Sequence, residues 1–310
     1  MRLHFYTADV FTETAFGGNQ LAVFPQAEGL GGDRMQQIAR ELNLSETVFV
    51  RPPRRAGQHF DLRIFTPRIE VPFAGHPTIG AALVLAAIGA VKLQGDETTV
   101  VLGERVGPIE VKIRIVDGQP RDARFTTAML PEFGPPPPVP EALARMLALE
   151  PADLLLETRP PMAVSCGLPF LLIPLRSLAA VSRARLDLGL WQDLLADFWA
   201  PHVHLFAHEA ELPGCDLHAR MFAPAAGVPE DPATGSAAAA LAGLLAARSP
   251  ELDGTLRWVV EQGLEIERPS ILEIEADKAG GEIIAVRVGG SAVMMSEGWM
   301  EIPDRGAADG

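Results

Sequence analysis

Three ionisable residues sit where their surroundings could turn them to chemistry. Glu46 lies in Asn43-Leu44-Ser45-Glu46-Thr47-Val48-Phe49-Val50, where a helical stretch gives way to a strongly apolar strand. A carboxylate partly buried at such a junction is suited to proton transfer near neutral pH. The plainer alternative is a solvent-facing glutamate at a strand start. His76 stands in Phe73-Ala74-Gly75-His76-Pro77-Thr78, as a proton relay, a substrate ligand or a structural histidine before proline. Asp231 opens Asp231-Pro232-Ala233-Thr234-Gly235-Ser236, where an ordinary N-cap competes with a role in a site.

The His76 and Asp231 turns each precede a small-residue helix. A helix N-terminus leaves N–H groups unpaired and carries partial positive charge, so each turn is a potential carboxylate site. Glycine lets a ligand come close to that backbone. Two such turns acting together would clamp a small anionic substrate.

The elements that must position these turns repeat. Arg63-Ile64-Phe65-Thr66-Pro67 is echoed by Arg220-Met221-Phe222-Ala223-Pro224, an offset of 157 residues. Pairing Thr78 with Thr234, and Ala81-Ala82 with Ala237-Ala238, gives an offset of 156 for the turns and helices. Two ordered echoes at nearly one offset predict two homologous domains, which we place at 1–122 and 123–310, with the last strand able to pack back on the first. The runs Ile79–Ile88 and Ala237–Ala247 are apolar almost all round, so each must be enclosed on every side. Short strands flank both, at 21–24, 47–50, 62–65, 98–102 and 110–116, then at 256–260, 272–275 and 283–288. The fold class is therefore α+β: two pseudo-symmetric domains, each a curved, mostly antiparallel sheet or barrel around a central apolar helix. Residues 33–42 read as an amphipathic helix with Asp33 as N-cap. Pro135–Pro138 reads as a stiff extended connection.

Composition narrows the function classes. The 310 residues carry a net charge of -14, which repels nucleic acid and acidic membranes. Apolar stretches are too short to span a bilayer and the N-terminus lacks a signal-peptide core, so a cytoplasmic location is expected. Cys166 and Cys215 are the two cysteines, with no CxxC spacing, and read as small buried residues. His202, His204 and His208 are close in sequence but lack acidic ligands at regular spacing, so no metal site is expected. Neither a P-loop, a dinucleotide-binding loop nor a Gly-x-Ser-x-Gly elbow is found.

Several of these segments together resemble the PhzF family of phenazine biosynthesis. They are Asp9-Val10-Phe11, Gly18-Asn19-Gln20-Leu21-Ala22-Val23, Asn43-Leu44-Ser45-Glu46-Thr47, Phe65-Thr66-Pro67 and Ala74-Gly75-His76-Pro77-Thr78. The Asp231–Ala237 turn, Gln262-Gly263 with Arg268-Pro269-Ser270, and Val288-Gly289-Gly290-Ser291-Ala292-Val293 complete the series in family order. Gln20 stands where the family often has proline, and Glu267 where glycine is common, which puts the shape of that loop in question.

The resemblance implies a diaminopimelate epimerase-like fold, a homodimer, and an active site in the cleft between domains. It implies a cofactor-free isomerase in which Glu46 moves a proton within trans-2,3-dihydro-3-hydroxyanthranilate or a related acid, with His76, Asp231 and Ser236 lining the pocket. Related racemases carry a cysteine at each helix start; here those turns have none. The candidate catalytic residues are thus Glu46, His76 and Asp231. The candidate substrate-binding residues are Asn19, Ser45, Gly75, Thr234, Gly235 and Ser236. An epimerase of an amino-acid-like acid and a non-catalytic binding protein are the competing readings; fold alone does not choose the substrate.

Overall fold

Residues 1–125 with those from Gly290 onward form one unit, and residues 126–289 the other. The computed structural model describes residues 1–157 and 159–303. The first unit runs β1 (Arg2–Val10), β2 (Asn19–Phe24), α1 (Gly32–Leu42), β3 (Glu46–Arg51), β4 (Phe60–Phe65) and β5 (Glu70–Val71). It continues through α2 (Gly75–Ala87), β6 (Glu97–Glu104), β7 (Gly107–Val116) and β8 (Gln119–Thr126). The second runs β9 (Glu132–Phe133), α3 (Pro140–Met146), β10 (Met162–Ser165), β11 (Pro169–Pro174), α4 (Leu178–Arg183), α5 (Leu188–Leu195) and β12 (His202–Ala207). Then come β13 (Leu217–Ala223), β14 (Val228–Asp231), α6 (Gly235–Arg248), β15 (Gly254–Gln262), β16 (Ser270–Ala279) and the long β17 (Glu282–Glu301).

The pairing pattern is the same in both units. In the first, β1–β2, β3–β4, β4–β5, β6–β7 and β7–β8 are antiparallel, while β2–β3 and β4–β6 are parallel. In the second, β10–β11, β12–β13, β13–β14, β15–β16 and β16–β17 are antiparallel, while β11–β12 and β13–β15 are parallel. Each parallel step needs a crossover, and helices supply it: α1 between β2 and β3, α4 and α5 between β11 and β12. The second half of β17 leaves β16 and pairs with β1, from Ala292 opposite Val10 to Glu301 opposite Arg2. This is the two-domain α+β architecture expected from the sequence.

The two central helices account for the apolar runs. Every residue of α2 from Gly75 to Ala86 is buried, against β1, β2, β3 and β7. Each fully buried Leu, Ile or Val contributes about 1.5–3 kcal/mol, which overrides the absence of a polar face. The approach is close at Gly80, where a Cβ would lie 2.4 Å from Leu21 Cδ2 and 2.6 Å from Val10 Cγ2. Helix α6 is enclosed likewise by β10, β11, β15 and β16. The opposite sheet face of the first unit packs on α1: Met35, Ile38 and Ala39 meet Phe24, Phe49 and Phe65. The rings of Phe24 and Phe49 stack at 5.0 Å.

Two sequence expectations need correction. Helix α1 is preceded by Gly31 as its N-cap, and Asp33 lies inside the first turn, where its charge complements the helix dipole. The repeat does not continue at an offset of 156. Arg63 forks onto Glu70 (Nε–Oε1 2.8 Å, Nη2–Oε2 2.7 Å), and Arg220 forks onto Glu230 (2.8 and 2.8 Å). Each arginine also lies over the phenylalanine two residues on, Phe65 or Phe222. Arg63 is 7 residues from its glutamate and Arg220 is 10 from its own, so three residues are inserted in the second half. The central helices begin at Gly75 and Gly235, an offset of 160. Ala74 therefore corresponds to Thr234, and His76 to Ser236.

Candidate active site

Asn43 ends α1 in the left-handed conformation (φ 50°), with its N–H on the Ala39 carbonyl. Asparagine tolerates that region better than most residues, because its short side chain bonds locally. The chain then bends at Leu44 and Ser45 and enters β3 at Glu46. Glu46 sits opposite Leu21 in the parallel β2–β3 register. Thr47 and Phe49 turn outward, Phe49 onto α1, so Glu46 and Val48 lie on the face of β3 that packs on α2.

That face brings Glu46 to the start of α2. Glu46 Oε2 lies 3.1 Å from His76 Nε2, with 17% and 5% of the side chains exposed. On the other side of the ring, Asn19 Nδ2 lies 3.3 Å from His76 Nδ1. In the tautomer in which Nδ1 accepts from the Asn19 amide, the ring proton sits on Nε2 and faces the carboxylate. Burial pushes the His76 pKa down to about 3, against a hydrogen bond to the Gln20 backbone, so the imidazole is uncharged at neutral pH. Asn19, Glu46 and His76 thus form one cluster in the first unit, with Ser45 and buried Gly75 as chain neighbours.

In the second unit the Asp231 turn is built differently from the sequence expectation. The N-cap of α6 is Thr234, and Asp231 ends β14 three residues earlier. The Thr234 hydroxyl donates to Asp231 Oδ2. Gln262, at the end of β15, donates to the Asp231 carbonyl (2.8 Å) and to Thr234 Oγ1 (3.2 Å). Asp231 and Thr234 are buried, Gly235 is buried at the first helical position, and Ser236 is half-buried beside it.

The structure gives places beside these turns to Glu104, and to Gln262, His202 and His204, which the sequence reading named without assigning them to the site. Gln262 supports the Asp231 turn and also lies against the wholly buried His204, whose pKa burial lowers to about 4. His202 occupies, at the start of β12, the place of Glu46: it is the strand position before Val203, which pairs with Phe222 as Thr47 pairs with Phe65. Glu104, at the end of β6, reaches Thr78 from behind the His76 turn. Glu104 and Gln262 each end a strand parallel to the Arg-x-Phe-x-Pro strand, a long-range pairing that no local sequence pattern records. Cys166 is buried and its thiol is pushed up to about 12, while Cys215 is half-buried; both are free. Among the described residues no group of three or more His, Cys, Asp or Glu is placed to hold a metal ion. No helix there is long and apolar enough to cross a membrane.

A family model described as phenazine biosynthesis-like protein (PhzC-PhzF) matches residues 8–298. The chain belongs to the PhzF family. An isomerase of Mesorhizobium japonicum described as uncharacterised is 40% identical over 94% of this chain and 96% of its own. The trans-2,3-dihydro-3-hydroxyanthranilate isomerase of Pseudomonas aeruginosa is 35% identical over 96% of this chain and 99% of its own. The fold is that of the PhzF-family phenazine biosynthesis protein of Bacillus anthracis, with a TM-score of 0.88 and 24% identity over 97% of this chain and all of the other. These likenesses support an isomerase.

Proposed function

We propose that this PhzF-family protein is a cofactor-independent isomerase of a small carboxylic acid related to trans-2,3-dihydro-3-hydroxyanthranilate, with Glu46 as its proton carrier. The observation that carries the reading is the approach of Glu46 to a buried, uncharged His76 at 3.1 Å. A charged imidazolium would bind the carboxylate as an ion pair and compete with the substrate's proton. A neutral ring orients the carboxylate without that competition.

In the proposed reaction the Glu46 carboxylate takes a proton from one substrate carbon, and the resulting carboxylic acid returns it to another. The substrate gains and loses one proton, so no oxidant, reductant or second acid is consumed. The second unit holds Ser236 where the first holds His76, and His202 where it holds Glu46. The first unit's carboxylate–imidazole pair is thus not duplicated, and neither helix start carries a cysteine, which favours one proton carrier over the paired thiols of a racemase. We assign carboxylate binding in the first unit to the helix start at Gly75, and in the second unit to the helix start at Thr234, Gly235 and Ser236, where Thr234 holds the Asp231 carboxylate. A homodimer is part of the proposal, and sedimentation of the full chain measures it.

The test is Glu46→Gln, assayed first on trans-2,3-dihydro-3-hydroxyanthranilate and then on a panel of small carboxylic acids in heavy water by NMR. Turnover should fall by roughly two to four orders of magnitude, the usual contribution of general acid–base catalysis, with binding little changed. Near-normal turnover of the variant on a verified substrate would sink the mechanism.

A further inference from the structure

Glu104 is buried behind the first turn of α2, with Oε1 2.7 Å from Thr78 Oγ1. The same hydroxyl lies 2.8 Å from the carbonyl oxygen of Ala74, the N-cap of α2. A hydroxyl carries one proton, and a carbonyl oxygen can only accept. An ionised carboxylate likewise only accepts, so the one Thr78 proton can serve either oxygen, and both contacts are hydrogen bonds at once only when Glu104 carries a proton of its own.

The second unit shows the same position filled by a permanent donor. Asp61 pairs with Gly103 across β4 and β6, as His218 pairs with Glu261 across β13 and β15. Glu104 and Gln262 are the next residues on their strands and so correspond. The Gln262 amide donates to Thr234 Oγ1, whose own proton goes to Asp231. In each half a residue of the parallel strand meets a threonine hydroxyl that lies against the turn before the central helix.

We propose that Glu104 is kept as a neutral carboxylic acid and is a positioning residue: through Thr78 it fixes the turn that carries His76, as Gln262 fixes the turn that carries Asp231. The inference rests on the assignment of His76 to the site. Burial supports it, pushing the Glu104 pKa up to about 8. The charged groups of the surrounding elements are turned to one another: Asp61 of β4 to Arg54, Glu70 of β5 to Arg63 and Arg105, Lys112 of β7 to Glu97. His76 on α2 is uncharged. Above about pH 8 an ionised Glu104 can only accept, and it competes with the Ala74 carbonyl for the single Thr78 proton.

The test uses the full chain labelled with ¹³C at glutamate carboxyls, with the Glu104 signal identified by its absence from Glu104→Gln. The wild-type signal should titrate near pH 8, well above the ordinary glutamate value of about 4.5. His76 ring signals should shift with the same midpoint in the wild type and show no such step in Glu104→Gln. Glu104→Leu, which has no donor, should displace those signals at every pH and, compared with Glu104→Gln, raise the unfolding constant about tenfold, the typical effect of one buried hydrogen bond. Relative to Glu104→Gln, the wild type should lose about tenfold in folding constant per pH unit between roughly 4.5 and 8, where only the folded state holds the proton. Titration of Glu104 near 4, or a Gln variant that displaces His76 as the Leu variant does, overturns the proposal. None of these readouts needs a substrate, so failure of the Glu46 reaction and failure of this inference are distinguishable.

Discussion

His218 on β13 is enclosed by two glutamates, and that arrangement makes stability depend on pH in a calculable direction. Its Nδ1 lies 2.6 Å from Glu261 Oε1 and its Nε2 2.9 Å from Glu265 Oε1, with both His218 and Glu261 side chains at 1% exposure or less. Carboxylates accept, so both ring nitrogens carry protons and the ring is an imidazolium. Burial opposes that charge, but the bonds to Glu265 and Glu261 together outweigh it and raise the pKa. A raised folded value means that the stabilisation is complete below the unfolded value of about 6.5 and is lost as pH rises through the folded one. His218→Phe keeps the ring volume and removes both donors. Breaking a buried pair costs about 3–5 kcal/mol. Glu261 keeps the backbone N–H groups of Glu211 (2.6 Å) and Leu212 (2.7 Å), so the lower end, about 3 kcal/mol, is expected at pH 6. Urea unfolding followed by tryptophan fluorescence, with Trp258 on β15 as a local reporter, measures it as a shift in midpoint at constant slope. The gap between the proteins should narrow at pH 9. A variant as stable as the wild type at pH 6, or a gap equal at both pH values, refutes the imidazolium.

Two further changes probe the turns themselves. Gly235→Val should weaken binding of the acid substrate by roughly 10- to 100-fold, the worth of N–H bonds to a charged oxygen, with circular dichroism unchanged; calorimetry should also find the uncharged amide of that substrate weakly bound and indifferent to the mutation, and equal binding of amide and acid would remove the charge-reading role. Glu267 is an exposed residue held at φ 59°, the left-handed region that glycine enters freely; Glu267→Gly should stabilise the chain by up to about 1 kcal/mol in thermal unfolding, and a destabilised variant would mean that the loop depends on the side chain.

Much of the architecture is legible in the residues because burial leaves a one-dimensional trace. Helices apolar on every side, such as Ile79–Ile88, have no stable place except inside a sheet, and α2 is found there. The strands announce themselves by alternation: in β7, Ile109, Val111 and Ile113 are buried while Glu110, Lys112 and Arg114 are exposed. The grouping of Glu46 with His76 is another matter, since it depends on β2 and β3 being parallel, a pairing between residues 25 apart that no local pattern records. The protonation of His76 and Glu104 is set by enclosure in three dimensions and leaves no signature in neighbouring letters.

The misaligned repeat shows how letter identity and physical role part company. Thr78 and Thr234 match as letters, as do the alanine pairs after them, but Thr78 is the fourth residue of its helix and Thr234 caps the other. The informative echo is Glu70-Val71-Pro72 against Glu230-Asp231-Pro232, because each glutamate is tied to the arginine of the preceding strand. A buried arginine without its fork would leave a charge uncompensated, so this pair tolerates little drift, whereas a threonine on a helix is easily moved by one turn. Once the forks set the register, the two units share their scaffold and differ in their ionisable groups: Glu46 against His202, His76 against Ser236, Glu104 against Gln262. In the first unit Glu104 and His76 sit in surroundings that shift their pKa values far from the ordinary ones, while their counterparts Gln262 and Ser236 cannot titrate in this range. The duplicated halves have therefore diverged at these positions: the His76 turn is lined by groups with shifted pKa values, and the Thr234 turn by Ser236 and Gln262, whose hydrogen bonds do not change with pH in this range.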